Sequence, residues 1–151
     1  MSTKRTETRK TYHTTSPRQT FKLGEQLSKR LKGGEIILLI GELGSGKTIF
    51  AKGVASGLGI KSSTAVTSPS FTLINEYQGK LKFFHIDLYR INRPEELYDL
   101  GLEEIMTPPN VVMVEWGEKL GPFSPALAIK VRLSCQGKGK REVTISFPEE
   151  N

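Results

Sequence analysis

The sequence predicts a single α/β domain with a mostly parallel central sheet, antiparallel additions and helices on both faces. Three observations predict it. Residues 36–40 (Ile-Ile-Leu-Leu-Ile) and 111–114 (Val-Val-Met-Val) are apolar runs without polar alternation, the pattern of strands buried on both faces of a parallel sheet. A glycine-rich segment, residues 41–48, joins the first run to a helical stripe. Near the C-terminus, apolar residues alternate over 127–135 and 143–147, as in an antiparallel pair.

In chain order, residues 10–15 alternate enough for a short strand. Ser16 and Pro17 read as the N-cap and first position of a helix, where a missing N–H has no consequence. Phe21, Leu23, Leu27 and Leu31 give that helix its apolar stripe, and Gly33-Gly34 is expected to end it. The buried strand 36–40 and the glycine-rich loop follow. Ile49, Phe50, Val54 and Leu58 then mark a second helix, closed near Gly57 and Gly59. After a polar stretch, residues 71–77 and 81–86 read as a hairpin turning at Gln78-Gly79-Lys80. Arg93-Pro94-Glu95-Glu96 starts a helical stretch that Gly101 interrupts and Pro108-Pro109 stops. Residues 111–114 make the second buried strand, and the alternating pair completes the sheet. There is no internal repeat.

The chain of 151 residues is long enough to bury a core without staples. Hydrophobic residues at 36% and charged residues at 25% fit a soluble globular protein and exclude a disordered one. The net charge is +6, but the first twenty residues hold five basic side chains against one acid. The excess therefore sits mainly on a polar N-terminus, and residues 1–8 read as a flexible basic tail ahead of a domain spanning 9–151. The body offers little sign of autonomous nucleic-acid binding. Cys135 is the single cysteine, so no intrachain disulfide forms, which suits a reducing compartment. It reads as a small strand residue. No apolar segment approaches the roughly 20 residues of a membrane helix, and the N-terminus lacks the apolar stretch of a signal peptide. The expected location is the cytoplasm, away from membranes.

The chemistry concentrates at residues 41–48, where Gly41, Gly46, Lys47 and Thr48 match G-x-x-x-x-G-K-[ST] at every fixed position. The glycines let the backbone turn so that several N–H groups converge on a phosphate. The following helix adds its N-terminal dipole. Lys47 supplies a positive charge for the β- and γ-phosphates, and the Thr48 hydroxyl is a hard ligand for Mg²⁺. With a buried strand before it and a helix after it, the segment predicts a P-loop NTPase domain binding ATP and Mg²⁺.

Phosphoryl transfer also needs a carboxylate for the metal and a group that positions water. Asp87 and Glu115 each directly follow an apolar strand, where open α/β sheets bind ligands. An acid placed there is costly unless it meets a cation or donors. His85, inside an apolar strand, reads more readily as a hydrogen-bonded core residue than as a catalyst. Trp116 follows Glu115 and either lines the site or simply packs. Thr67-Ser68-Pro69-Ser70 is either a loop ordered by the γ-phosphate or an ordinary polar turn.

Taken together, residues 41–48, Thr67-Ser68-Pro69-Ser70-Phe71, His85-Ile86-Asp87-Leu88-Tyr89-Arg90 and Glu115-Trp116 resemble the bacterial TsaE (YjeE) ATPases. Pro94-Glu95-Glu96-Leu97 and Gly101 fit the same pattern, and the likeness runs from about Ser16 to Phe147. The resemblance implies a small ATPase in the pathway that places threonylcarbamoyl on the adenosine beside the anticodon of tRNAs reading codons that begin with A. Its implied partners are a TsaD-type transferase and a TsaB-type paralogue, with tRNA met only indirectly. It implies that Thr48 and Glu115 take the magnesium and that Gly44, Ser45, Gly46, Lys47, Thr48 and Ile49 hold the phosphates. Asp87 would serve hydrolysis by orienting water, Trp116 would serve activity, and Ser68 and Ser70 would lie in the switch. Ser70 stands where the family often has Thr, and the hydroxyl is kept. A basic residue near the last strand is also implied, either Lys140 or Arg141.

Two other readings are open to the same loop. A small-molecule kinase would need an acceptor pocket and an arginine-rich lid, neither of which the sequence displays. A nucleotide-gated binding module would hydrolyse ATP only incidentally. No arginine finger is fixed by the sequence, Arg90 being only a candidate, so turnover by the chain alone is expected to be slow.

Overall fold

The computed structural model describes residues 7–42, 44–61 and 73–148. Seven strands form one sheet in the order β1-β7-β6-β2-β5-β4-β3. They are β1 (Glu7–Thr14), β2 (Ile36–Gly41), β3 (Ile74–Gln78), β4 (Lys82–Asp87), β5 (Val111–Glu115), β6 (Ile129–Gly137) and β7 (Lys140–Pro148). The helices are α1 (Pro17–Ser28), α2 (Lys47–Gly57) and the short α3 (Leu102–Ile105), with 3-10 turns at Pro94–Asp99 and Gly117–Phe123.

The central four strands β6-β2-β5-β4 are parallel, and β1, β7 and β3 join antiparallel. The unpatterned apolar runs are explained by burial on two faces. Ile37, Leu39, Val111 and Met113 face a core built with α1 and α2. Ile36, Val112 and Val114 face a second core beneath α3 and the 3-10 turns. The alternating segments have one wet face: in β6, Ile129, Val131 and Leu133 are buried while Lys130 and Arg132 are exposed.

Several boundaries differ from the sequence expectation. β1 begins at Glu7, inside the stretch read as a tail, because its ladder to β7 runs from Glu7–Pro148 to Thr14–Arg141. The Ser16 hydroxyl caps α1 by accepting from the Gln19 amide, as expected. That helix nevertheless ends at Ser28, not at Gly33-Gly34. The Ser28 hydroxyl donates to the Glu25 carbonyl, and the amides of Lys29, Arg30 and Leu31 bond three residues back, tightening the exit. Gly33 and Gly34 instead turn the chain into β2 at φ 115° and 96°. The helix expected from Arg93 is a 3-10 turn followed by α3, broken at Gly101 (φ 75°). The Glu96 carboxylate accepts from the Asn92 and Arg93 amides, which holds its pKa below the ordinary value. The hairpin strand expected over 71–77 is β3 from Ile74, residues 71–72 lying outside the described residues. No described helix is long and apolar enough to cross a membrane.

α1 and α2 touch through glycines that the sequence reading passed over. A Cβ on Gly53 would meet the Phe21 carbonyl, and one on Gly24 would meet the Phe50 carbonyl. Backbone cannot retreat as a flexible side chain can. Gly53→Ala is therefore expected to destabilise the fold by about 1–3 kcal/mol despite alanine's higher helix propensity, a loss that urea denaturation would read.

Candidate functional site

β2 ends at Gly41 and α2 begins at Lys47, so the glycine-rich loop bridges a central strand and a helix N-terminus. Gly44 (φ 80°) and Gly46 (φ 102°) occupy left-handed backbone that favours glycine. Gly41 is needed for a different reason: a Cβ there would press on the Ser45 hydroxyl and the Leu133 carbonyl. The Ser45 hydroxyl is buried and has no hydrogen-bond partner. The first turn of α2 aims its amides and its positive dipole end at the hollow of the loop.

A cleft of about 530 Å³ opens over this loop, lined by Lys47, Thr48, Asp87, Tyr89, Glu115 and Trp116 among others. The sheet brings these distant residues together. β4 and β5 run parallel with Asp87 opposite Glu115 at their C-terminal ends, and β5 is the neighbour of β2. Glu115 is the best-connected group. Its Oε1 lies 3.2 Å from the Lys47 ammonium, and its Oε2 lies 2.7 Å from His85 Nε2. A carboxylate accepts, so Nε2 carries the proton. His85 is wholly buried and its Nδ1 has no partner. His85 is thus the hydrogen-bonded core histidine of the first expectation, and it orients the Glu115 carboxylate.

The electrostatics follow from this geometry. Burial pushes the Glu115 pKa up, but the hydrogen bond and charge of His85 and the charge of Lys47 outweigh it and hold the group below its ordinary value. Asp87 goes the other way. Burial raises its pKa, the Tyr89 amide partly offsets this, and repulsion from Glu115 adds to the rise. Two carboxylates side by side at a helix N-terminus form an electrostatic arrangement that a hard cation relieves. Among the described residues no three His, Cys, Asp or Glu side chains cluster as a metal cage. Two carboxylates and the Thr48 hydroxyl at the cleft are hard oxygen donors, the kind Mg²⁺ takes.

Trp116 sits in left-handed backbone (φ 62°, ψ 43°) and is 41% exposed at the cleft edge. Its ring lies 5.4 Å from that of Tyr89. Lys119, which the sequence reading missed, donates to the Tyr89 and Ile91 carbonyls and lies over both rings. It pins the segment after Asp87 against Trp116, a role carried by folding and by no sequence signal. Of Lys140 and Arg141, Arg141 touches the loop: it donates to the Gly44 carbonyl at 3.1 Å and contacts the Cys135 sulfur at 3.5 Å. Cys135 is an exposed residue of β6. Ile49 lies half-buried in the first turn of α2, and Arg90 is exposed and does not line the cleft. Ser68 and Ser70 lie outside the described residues.

Comparison with known proteins gives the family and the fold. The family model described as threonylcarbamoyl adenosine biosynthesis protein TsaE matches residues 14–143. The tRNA threonylcarbamoyladenosine biosynthesis protein TsaE of Treponema pallidum (strain Nichols) is 36% identical over 131 residues, covering 87% of this chain and 96% of that protein. The protein of the same name from Aquifex aeolicus (strain VF5) is 41% identical over 131 residues, covering 86% and 90%. A solved structure, described as the crystal structure of Bacillus subtilus YdiB, superposes with a TM-score of 0.76 at 30% identity, covering 94% of this chain and 87% of that one. With most of the chain matched in sequence and in fold, the protein belongs to the TsaE family of tRNA threonylcarbamoyladenosine biosynthesis proteins.

Proposed function

We propose that the protein is a cytoplasmic Mg²⁺-dependent ATPase serving threonylcarbamoyl modification of the adenosine beside the anticodon, acting with a TsaD-type transferase and a TsaB-type paralogue. One observation carries the reading: Lys47 and Glu115 face each other across the cleft, with Asp87 in register beside Glu115. In this reading the amides from Gly44 to Ile49 wrap the β-phosphate. Lys47, now paired with Glu115, would be available to the β- and γ-phosphates, and the Thr48 hydroxyl and Glu115 carboxylate would hold the metal. Bound Mg²⁺ would supply charge neutralisation on the phosphate oxygens. His85 keeps Glu115 oriented, as supporting hydrogen bonds do for metal-binding carboxylates. Asp87 accepts a hydrogen bond from the attacking water and orients it toward the γ-phosphate. Arg141 steadies the loop through the Gly44 carbonyl.

The deciding experiment mixes the chain with purified transferase and paralogue, ATP, Mg²⁺ and unmodified tRNA. Multiple-turnover modification that requires this chain and ATP supports the proposal, and equal modification without it refutes the proposal. Two variants probe the roles. Asp87→Asn is expected to lower hydrolysis by about 10²–10⁴-fold with ATP affinity little changed. Its pKa is raised on folding, so its contribution to stability is present below the unfolded-state pKa and lost as pH rises through the folded value. At neutral pH the variant should therefore melt no lower than the parent, and a clear fall in Tm would show that the charge is wanted by the fold. Arg141→Ala is expected to weaken ATP binding several-fold, the scale of one hydrogen bond of about 0.5–1.5 kcal/mol. Lys140→Ala should leave the titration unmoved.

A further inference from the structure

The segment that follows Asp87, residues 88–93, belongs to no helix or strand. Backbone bonds tie its start to β5: the Leu88 amide donates to the Glu115 carbonyl at 3.1 Å, and the Ile91 amide donates to the Leu88 carbonyl at 3.0 Å. The Lys119 ammonium holds the same stretch from the other side, donating to the Tyr89 carbonyl at 2.8 Å and to the Ile91 carbonyl at 2.9 Å. Between these anchors the Tyr89 amide donates to Asp87 Oδ1 at 3.0 Å. Such a bond, from an amide two residues on, aims a carboxylate only as well as the backbone carrying that amide is fixed. Lys119 stands on a firm base. Its neighbour Leu120 is wholly buried, its own amide donates to the Trp116 carbonyl at 3.0 Å, and Gly117 lies so close to Leu38 that a Cβ there would meet its side chain.

We propose that Lys119 is a positioning residue for hydrolysis: by holding the Tyr89 carbonyl it fixes the amide that aims the Asp87 carboxylate, and it leaves ATP binding alone. The inference rests on the reading of Asp87 as the group that orients water. Both acceptors of Lys119 are carbonyls, so its bonds fix backbone position and do not balance a carboxylate. Lys119 does not line the cleft, whereas Asp87, Tyr89 and Trp116 do, so its removal takes no contact from a nucleotide. The ammonium also lies 5.8 Å from the centre of the Tyr89 ring and 5.4 Å from that of Trp116, within reach of a cation–π attraction. That contact makes Trp116 a reporter of where Lys119 sits. A carboxylate that must point at one water has little tolerance for a loosened loop, because misplacement by about 1 Å can cost about 100-fold in rate.

The test makes Lys119→Met, Lys119→Arg, Asp87→Asn and the double variant Lys119→Met with Asp87→Asn in the full chain, and follows release of labelled phosphate from ATP with Mg²⁺. Methionine keeps an unbranched apolar stem and removes every donor. Lys119→Met is expected to lower kcat about 10–100-fold while KM and the calorimetric Kd for ATP stay near the parent values. Lys119→Arg, which keeps donors for both carbonyls, should recover most of the rate. In the double variant kcat should fall no further than in Asp87→Asn alone, since the group that Lys119 positions is already gone. Trp116 is the single tryptophan, so its emission without nucleotide should become easier to quench with acrylamide in Lys119→Met and return toward the parent in Lys119→Arg. If methionine melts low, Lys119→Gln gives the same comparison. The inference is overturned if Lys119→Met matches the parent in kcat, if KM rises in place of the fall in kcat, or if the losses of the two single variants multiply. Asp87→Asn that hydrolyses ATP like the parent overturns instead the reading of Asp87, and the inference with it, so the two failures are told apart.

Discussion

Lys47→Ala is expected to abolish ATP binding at micromolar protein, with affinity falling at least about 100-fold, or some 2.7 kcal/mol. The lysine ammonium is mostly buried, and it is the cation that the structure places beside Glu115 in the cleft. Removing it takes away a charge-assisted contact to the phosphates. It also leaves the Glu115 carboxylate facing the incoming polyanion without the lysine charge that now neutralises it. Both effects act against binding, so the loss lies at or beyond the upper end of the roughly 1.5–3 kcal/mol of a typical charged hydrogen bond. Calorimetric titration with ATP and Mg²⁺ checks this, and an unchanged Kd would refute the assignment of the loop. Stability should move less, because the lysine can reach solvent and its pairing with Glu115 is partly screened.

Glu115→Ala should be costly twice over, to activity and to the fold. The carboxylate is 4% exposed and ties two strands and a helix together through His85 and Lys47. Alanine leaves His85 with both ring nitrogens buried and unpartnered, since Nδ1 already lacks a partner. Stranding a buried polar group costs about 1–3 kcal/mol. Glu115→Gln separates the two losses. Its amide oxygen can still accept from His85 Nε2, so the fold should be largely retained, while the lost charge should remove the Mg²⁺ dependence and lower hydrolysis by about 10²–10³-fold, as loss of a preorganised charge does elsewhere. The pH dependence has a definite sign. The Glu115 pKa is lowered in the fold, so its stabilisation is present above the unfolded-state pKa and disappears as pH falls through the folded value. Glu115→Gln should flatten that acid limb in melting experiments, and an unaltered limb together with an unaltered metal titration would remove Glu115 from both roles.

Much of this was legible in one dimension, and the reason is locality. Residues 41–48 carry their meaning in spacing, because the loop, its strand and its helix are contiguous and Gly44 and Gly46 answer local backbone demands. The two apolar runs announce burial on both faces for the same reason. Ser16 announced the start of α1, but its end was misread, since Ser28 and the tight turns behind it close the helix before the expected glycines. Gly24 and Gly53 were silent because their requirement comes from another helix.

By itself, the sequence determined the α/β class, the phosphate-loop motif, the acids at two strand ends and the family. Only the tertiary structure decided that Asp87 and Glu115 stand in register, that His85 steers one of them, that Arg141 and not Lys140 reaches Gly44, and that Lys119 holds the Tyr89 carbonyl. The physical reason is that short-range constraints write themselves into neighbouring residues. Pairings across a sheet depend on strand order and register, which arise only when segments far apart in the chain bury their apolar faces together.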